Sequence, residues 1–131
     1  LTNQKFMLDG GGSSIRSFIH IADVCSATYK IATSDSHGET FHISSEQFIS
    51  IKDLVKLILK KFNKDFVSLV ELGPERVGKD QAYLLNADKV KNVMNWHPLI
   101  SLDAGIDEVC DWALSNIDVL RGMEVGYVHK K

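Results

Sequence analysis

Apolar and polar positions alternate along this chain with two periods, and the clearest helical stretch covers residues 50–62. Ile51, Leu54, Val55, Ile58, Leu59 and Phe62 share one helix face, while Lys52, Lys56, Lys60 and Lys61 lie largely off it. Ser50 and Asp53 form a capping box ahead of the stripe, and Ile49 is placed to staple onto Leu54. Ser101 precedes a second stripe of Ile106, Val109, Cys110, Ala113, Leu114 and Ile117, which predicts a last helix. Asp23 is placed to cap a helix reaching about Thr33, and Asn86 a short one ending at Met94. Period-two segments at Lys5–Leu8 and Ile15–Ile21 read as strands joined in a glycine-rich hairpin through Asp9–Ser14. In the second, Arg16, Phe18 and His20 share one face. Shorter strands are predicted at Thr40–Ser44, Phe66–Leu72 and Ala82–Leu85, a turn at Asn95–Pro98, and a tail from Arg121. Strands alternating with helices predict an α/β or α+β domain.

Composition narrows the function classes. With 131 residues, 44% hydrophobic and 24% charged, the chain is long enough for one domain with a real core. Its apolar runs are too short for a transmembrane helix. A net charge of −2 with no basic block argues against nucleic acid or an anionic membrane as partner. Cys25 and Cys110 fall in helical patterns and are expected to be reduced core thiols. No signal peptide is evident, so a cytoplasmic location is expected. The start at Leu1, within a strand-like run, reads as a fragment.

Chemical motifs are sparse. Gly10-Gly11-Gly12 has neither P-loop spacing nor a G-x-G-x-x-G between strand and helix. The five histidines show no metal-ligand spacing, so no metal is expected. Tyr127 and Lys131 form a Y-x-x-x-K at the extreme C-terminus, where chance is the better reading. Arg16 and Arg76 stand out more. A guanidinium is a planar fork of donors, and two that converge can clamp a pyrophosphate, although a single arginine is more commonly solvated or ion-paired.

At these residues the sequence resembles a known family. Gly10 through Val24, with Arg16, Phe18, His20 and Asp23, is similar to the G-x-G-x-x-x-R-D-(F/W/Y)-(I/V/L)-(Y/H)-V-x-D segment of nucleotide-sugar dehydratases and epimerases. These enzymes are extended short-chain dehydrogenase/reductases. Gly38–Ser44 resembles the G-E-x-(Y/F)-N-(I/L)-(G/S) strand that follows, and Arg76–Lys89 aligns without a gap to R-P-G-H-D-x-R-Y-x-x-D-x-x-K. Asn95-Trp96-His97-Pro98 and Ser101–Ile106 match the closing G-W-x-P and the helix after it. The similarity runs from about Phe6 to Ile117 in one order.

The resemblance implies the C-terminal, substrate-binding lobe of such an enzyme. Its fold would be α/β, an α+β-like fragment with a small mixed sheet and about four helices, with the lobe at residues 1–117 and a tail at 118–131. It implies that Arg16 and Arg76 bind the diphosphate of a nucleoside-diphosphate sugar, that Phe18 lines the nucleotide pocket, and that Asp80 helps fix the nucleotide end. His42 and Lys79, standing where Asn and His are usual, would bear on which base or sugar is accepted. Ser17 replaces the usual Asp after the arginine. The gapless R-x-G-x-D-x-x-Y spacing resembles 4,6-dehydratases, lyases that act on dTDP or related sugars. A UDP-sugar 4-epimerase, an NADP-dependent keto-sugar reductase and a non-catalytic nucleotide-sugar-binding module are the alternatives. NAD or NADP would be bound by the Rossmann portion of a parent enzyme. This chain, carrying neither a cofactor loop nor the catalytic tyrosine and lysine, is expected to bind no cofactor and to be inactive alone. An exposed face toward the missing Rossmann lobe would favour homo-oligomers.

Overall fold

A computed structural model describes the chain at residues 3–75, 78 and 80–123. Ser50 and Ser101 act as their positions predict. The Ser50 hydroxyl accepts the Asp53 N–H and starts α2 (Ile51–Lys61), and the Ser101 hydroxyl accepts the Ala104 N–H and starts α5 (Leu102–Ser115). Lys61 binds the two helices together through Asp103 at 2.9 Å and Asp107 at 2.7 Å. Helix α1 (Ile21–Ala32) begins one turn earlier than Asp23 predicts, because the His20 ring accepts the Ala22 N–H. Asp23 instead turns inward, where its carboxylate accepts the N–H groups of Leu99 at 2.9 Å and Ile100 at 3.0 Å.

The first two strands exist but do not form a hairpin. β1 (Phe6–Leu8) pairs in parallel with β4 (Val70–Leu72), and β2 (Ile15–Ser17) pairs antiparallel with β3 (Phe48–Ser50). Gly10, Gly11 and Gly12 cause the difference, since all three lie in the left-handed region at φ 60°, 59° and 70°. Successive left-handed residues swing the chain out of one sheet and into the other. The Gly10 N–H donates to Pro74 O at 2.8 Å, and Ser14 O accepts the Ile51 N–H at 3.0 Å, so the turn is fastened at both ends. The small sheet expected from the sequence is therefore two separate pairs of strands.

Three other strand predictions change. Residues 66–72 split into α3 (Phe66–Leu69) and β4, because the Asp65 carboxylate accepts the Ser68 N–H at 2.8 Å and caps a helical turn. Thr40–Ser44 is not a strand: among the described residues no neighbour pairs with it, and Phe41 and Ile43 turn onto the core instead. Ala82–Leu85 is reduced among the described residues to a parallel bridge between Ala82 and Ile15, closed by the Tyr83 N–H on Ile15 O.

The core lies where α1 meets α4 (Asp88–Met94): Ala27, Ala87, Val90, Met94 and Trp96 form one buried cluster, with Ile19 and Ile31 packed against it. Lys30 of α1 donates to Asn95 O at 3.0 Å, placing a cation at the C-terminal end of α4. A last short helix, α6 (Ile117–Arg121), follows α5, making six helices among the described residues. Cys110 is a core thiol, but Cys25 lies on an exposed face of α1. Burial, helped by Asp107, pushes the Cys110 thiol above its ordinary value.

Candidate functional site

Arg16 stands on the middle line of a three-segment arrangement. On one side β2 pairs with β3, Arg16 opposite Ile49. On the other, the Ile15 N–H donates to Gln81 O at 2.8 Å and the Tyr83 N–H to Ile15 O at 3.2 Å. Backbone pairing on both sides removes most of the freedom of the strand that carries the guanidinium.

The side chain is then fixed by three contacts. Nη1 donates to Ile15 O at 2.7 Å, Nη2 donates to Asp80 O at 3.1 Å, and the guanidinium carbon sits 4.9 Å from the centre of the Tyr83 ring. Such a cation–π contact orients the charge as well as holding it. The Tyr83 hydroxyl in turn bonds to the Asp80 carboxylate. That hydrogen bond, with the negative charge behind it, raises the phenol's pKa above its ordinary value. Arg16, Asp80 and Tyr83 thus form one connected cluster, with the remaining donors of the arginine fork uncommitted among the described residues.

The direction of the Tyr83 shift yields a test. Because the hydrogen bond favours the protonated phenol, Tyr83 should ionise above the ordinary tyrosine value of about 10. The stability it contributes is complete below that ordinary value and is lost as pH rises through the raised one. An Asp80→Asn variant should bring the midpoint back toward the ordinary value in an NMR titration of the tyrosine ring carbons.

The other predicted site residues fall in different places. Phe18 lies beyond the end of β2 and lines a cavity of about 570 Å³ walled by α2 and α5, with Leu54, Ile58, Ile106 and Trp112. Since β2 stops at Ser17, the alternation that put Phe18 and His20 on the Arg16 face does not continue. His20 becomes the α1 cap and meets Glu108 at 3.2 Å. His42 is exposed, projecting between the inward-turned Phe41 and Ile43. Arg76 and Lys79, like Tyr127 and Lys131, lie outside the described residues. Tyr83, which the sequence reading does not assign to the site, joins the Arg16–Asp80 cluster; its signal is the tyrosine of the R-x-G-x-D-x-x-Y spacing, three residues after Asp80. Among the described residues no cluster of His, Cys, Asp or Glu could hold a metal, and no helix is long and apolar enough to cross a membrane.

Comparison with known proteins relates the sequence and fold of this chain to a class of enzymes. The chain is 27% identical over 133 aligned positions to the dTDP-glucose 4,6-dehydratase of Shigella flexneri, an alignment covering 96% of this chain and 37% of that protein. Its homologues are dTDP-glucose 4,6-dehydratases. The structure of the Bacillus anthracis dTDP-glucose 4,6-dehydratase, solved in complex with NAD, superposes with a TM-score of 0.80 at 27% identity, over 88% of this chain and 36% of that one. The matched region is the C-terminal portion of these short-chain dehydrogenase/reductase enzymes. The Thermotoga maritima UDP-glucose 4-epimerase shares the fold, with a TM-score of 0.78 at 22% identity. No family profile matches the sequence. The chain thus spans little more than a third of the length of the dehydratases it matches. Gly10–Gly12 leads into a strand, whereas a dinucleotide's pyrophosphate needs the turn before a helix N-terminus.

Proposed function

We propose that this chain is the substrate-binding lobe of an NAD-dependent nucleotide-sugar dehydratase of the 4,6 type. In this reading Arg16 grips the diphosphate of a nucleoside-diphosphate sugar. The observation that carries it is the immobilised guanidinium, fixed by Ile15 O, Asp80 O and the Tyr83 ring, with the rest of its fork uncommitted among the described residues. A diphosphate oxygen meeting a preoriented fork gains charge-assisted hydrogen bonds without the usual cost of ordering the side chain. The resemblance adds Arg76 as the second arm of the clamp, Asp80 at the nucleotide end, and Phe18 in the nucleotide pocket. It assigns His42 and Lys79 to the choice of base and sugar. NAD, which supplies the hydride acceptor when bound, would be held by the remainder of a parent enzyme, as would the proton-transferring groups.

Calorimetric titration of the chain with dTDP and UDP tests the assignment. Arg16→Ala should weaken nucleotide binding by about 1.5–3 kcal/mol, the range for a hydrogen bond to a charged group. Unchanged affinity in that variant sinks the clamp. Mixed with NAD and nucleotide sugars, the chain alone should give no turnover, and any product would overturn the assignment of cofactor and proton-transferring groups to the remainder of a parent enzyme. Products formed by a parent enzyme would separate a dehydratase from a UDP-sugar 4-epimerase, the reading that the shared epimerase fold keeps in view.

The same reading predicts self-association of the isolated chain. Ile21 and Tyr29 of α1, Leu99, and Trp112 of α5 are large apolar side chains left 58–88% exposed. A lobe that normally meets a partner leaves such surface behind. Light scattering at high protein concentration should show species heavier than the monomer; a strictly monomeric chain would refute it.

A further inference from the structure

Three serine hydroxyls meet on the face of β2 opposite Arg16, since successive strand side chains point to opposite sides. Ser17 Oγ lies 3.0 Å from Ser45 O, 2.9 Å from Ser45 Oγ and 3.0 Å from Ser44 Oγ. Ser44 and Ser45 are both buried, at 4% and 9% exposure. A hydroxyl has a single proton and two lone pairs. In the arrangement that saturates Ser17, it donates to Ser45 O and accepts from the hydroxyls of Ser44 and Ser45, while the Gln47 N–H donates to Ser45 Oγ at 3.3 Å; the Ser44 and Ser45 protons are then withdrawn from their other acceptors, Ser45 O at 3.1 Å and Gln47 O at 3.4 Å.

We propose that this hydroxyl triad positions Arg16: it sets the depth and twist of β2 from behind, and with them the place where the guanidinium stands. Ser17 is a positioning residue, not an anion ligand, and the inference rests on the proposed diphosphate role of Arg16. Two features support it. The triad joins β2 to the segment between α1 and β3, which has no ladder hydrogen bonds of its own, so the hydroxyls supply the link that a strand pair would otherwise give. The chemistry also demands a hydroxyl. A carboxylate only accepts, so an aspartate at position 17, the residue usual in the resembling segment, would face Ser45 O with no proton to give. The serines at 17, 44 and 45 form a set that works together.

The test uses Ser17→Ala, Ser17→Asp, Ser44→Ala, Arg16→Ala and the double variant Arg16→Ala/Ser17→Ala. Three measurements are made: the Arg16 Nε resonance without ligand, calorimetric affinity for dTDP and UDP, and melting temperature. Ser17→Ala and Ser44→Ala should both move the Arg16 resonance in the free protein and weaken nucleotide binding about 3–10-fold, with Ser17→Asp at least as damaging. In the double variant the Ser17 change should add nothing to the Arg16 loss, because one acts through the other. A lowered melting temperature with the Arg16 resonance unmoved overturns the proposal, as does a Ser17 effect that adds fully to that of Arg16→Ala. A wild-type chain that binds neither nucleotide overturns the diphosphate reading instead, and the resonance still decides whether Ser17 positions Arg16.

Discussion

Alanine at Gly12 is expected to cost about 3–5 kcal/mol of folding stability, while alanine at Gly11 costs about 1–2 kcal/mol. Both residues sit at similar left-handed φ, 70° and 59°, so the backbone strain added by a Cβ is alike. The surroundings differ. A Cβ on Gly12 would lie 2.8 Å from the Lys52 backbone nitrogen and 2.6 Å from a Leu8 methyl carbon, whereas one on Gly11 would meet nothing within 4 Å. The Lys52 nitrogen belongs to the first turn of α2 and cannot retreat without opening the helix start that Ser50 caps. Because small domains are held by only about 5–15 kcal/mol, the Gly12 variant should be close to unfolding. Urea denaturation of the two variants side by side measures the gap; equal losses would mean that the turn does not press on α2. The proposed role of Arg16 is linked through the same contact, since the turn delivers the chain into β2 and hence Arg16 to its place beside Asp80 and Tyr83.

The second large effect is expected at Asp23. Its side chain is 4% exposed, and both carboxylate oxygens are used, one on the Leu99 N–H and one on the Ile100 N–H. Asp23→Ala removes two charge-assisted bonds and leaves two partly buried donors without their partner, a loss of about 2–4 kcal/mol. Asp23→Asn should fall between alanine and the wild type, because the amide can still accept at one oxygen but presents N–H groups to the other donor. The loop it holds leads directly into Ser101 and α5, so amide hydrogen exchange in Asp23→Ala should rise first at residues 99–104. If exchange rises uniformly instead, Asp23 contributes to the core at large and not to that loop.

The helices were legible in the sequence because their evidence is local. Ser50 and Ser101 lie immediately before regular apolar stripes, and the structure starts α2 and α5 where they predict. The strands were harder, since a strand exists only when something pairs with it, and the partner is set by distant residues. Ile15–Ser17 could be read as extended, but nothing nearby said that its neighbours would be residues 48–50 and 81–83. Phe41 and Ile43 have the alternation of a strand and become packed coil for want of a ladder. Phe66–Leu69 failed differently: a short apolar run fits either period, and the Asp65 cap decided it. Of the candidate site, Arg16 and Asp80 were readable through motif order, and the structure brings them together. The hydroxyl triad was not, because single serines 27 or 28 positions apart carry no pattern.

The bond from Arg16 to Asp80 spans 64 positions of chain. During synthesis from the N-terminus, Arg16, Ser17 and the whole of α1 and α2 emerge well before the residues that orient the guanidinium. α2 and the β2–β3 pair depend on nearer neighbours and are free to form first, whereas the cradle closes only when residues 80–83 arrive beside β2. Long-range closures of this kind are the slow steps of folding. If Arg16 binds the proposed diphosphate, the anion would therefore favour the finished lobe over its incomplete forms, and ligand occupancy would double as a check that folding has run to its end.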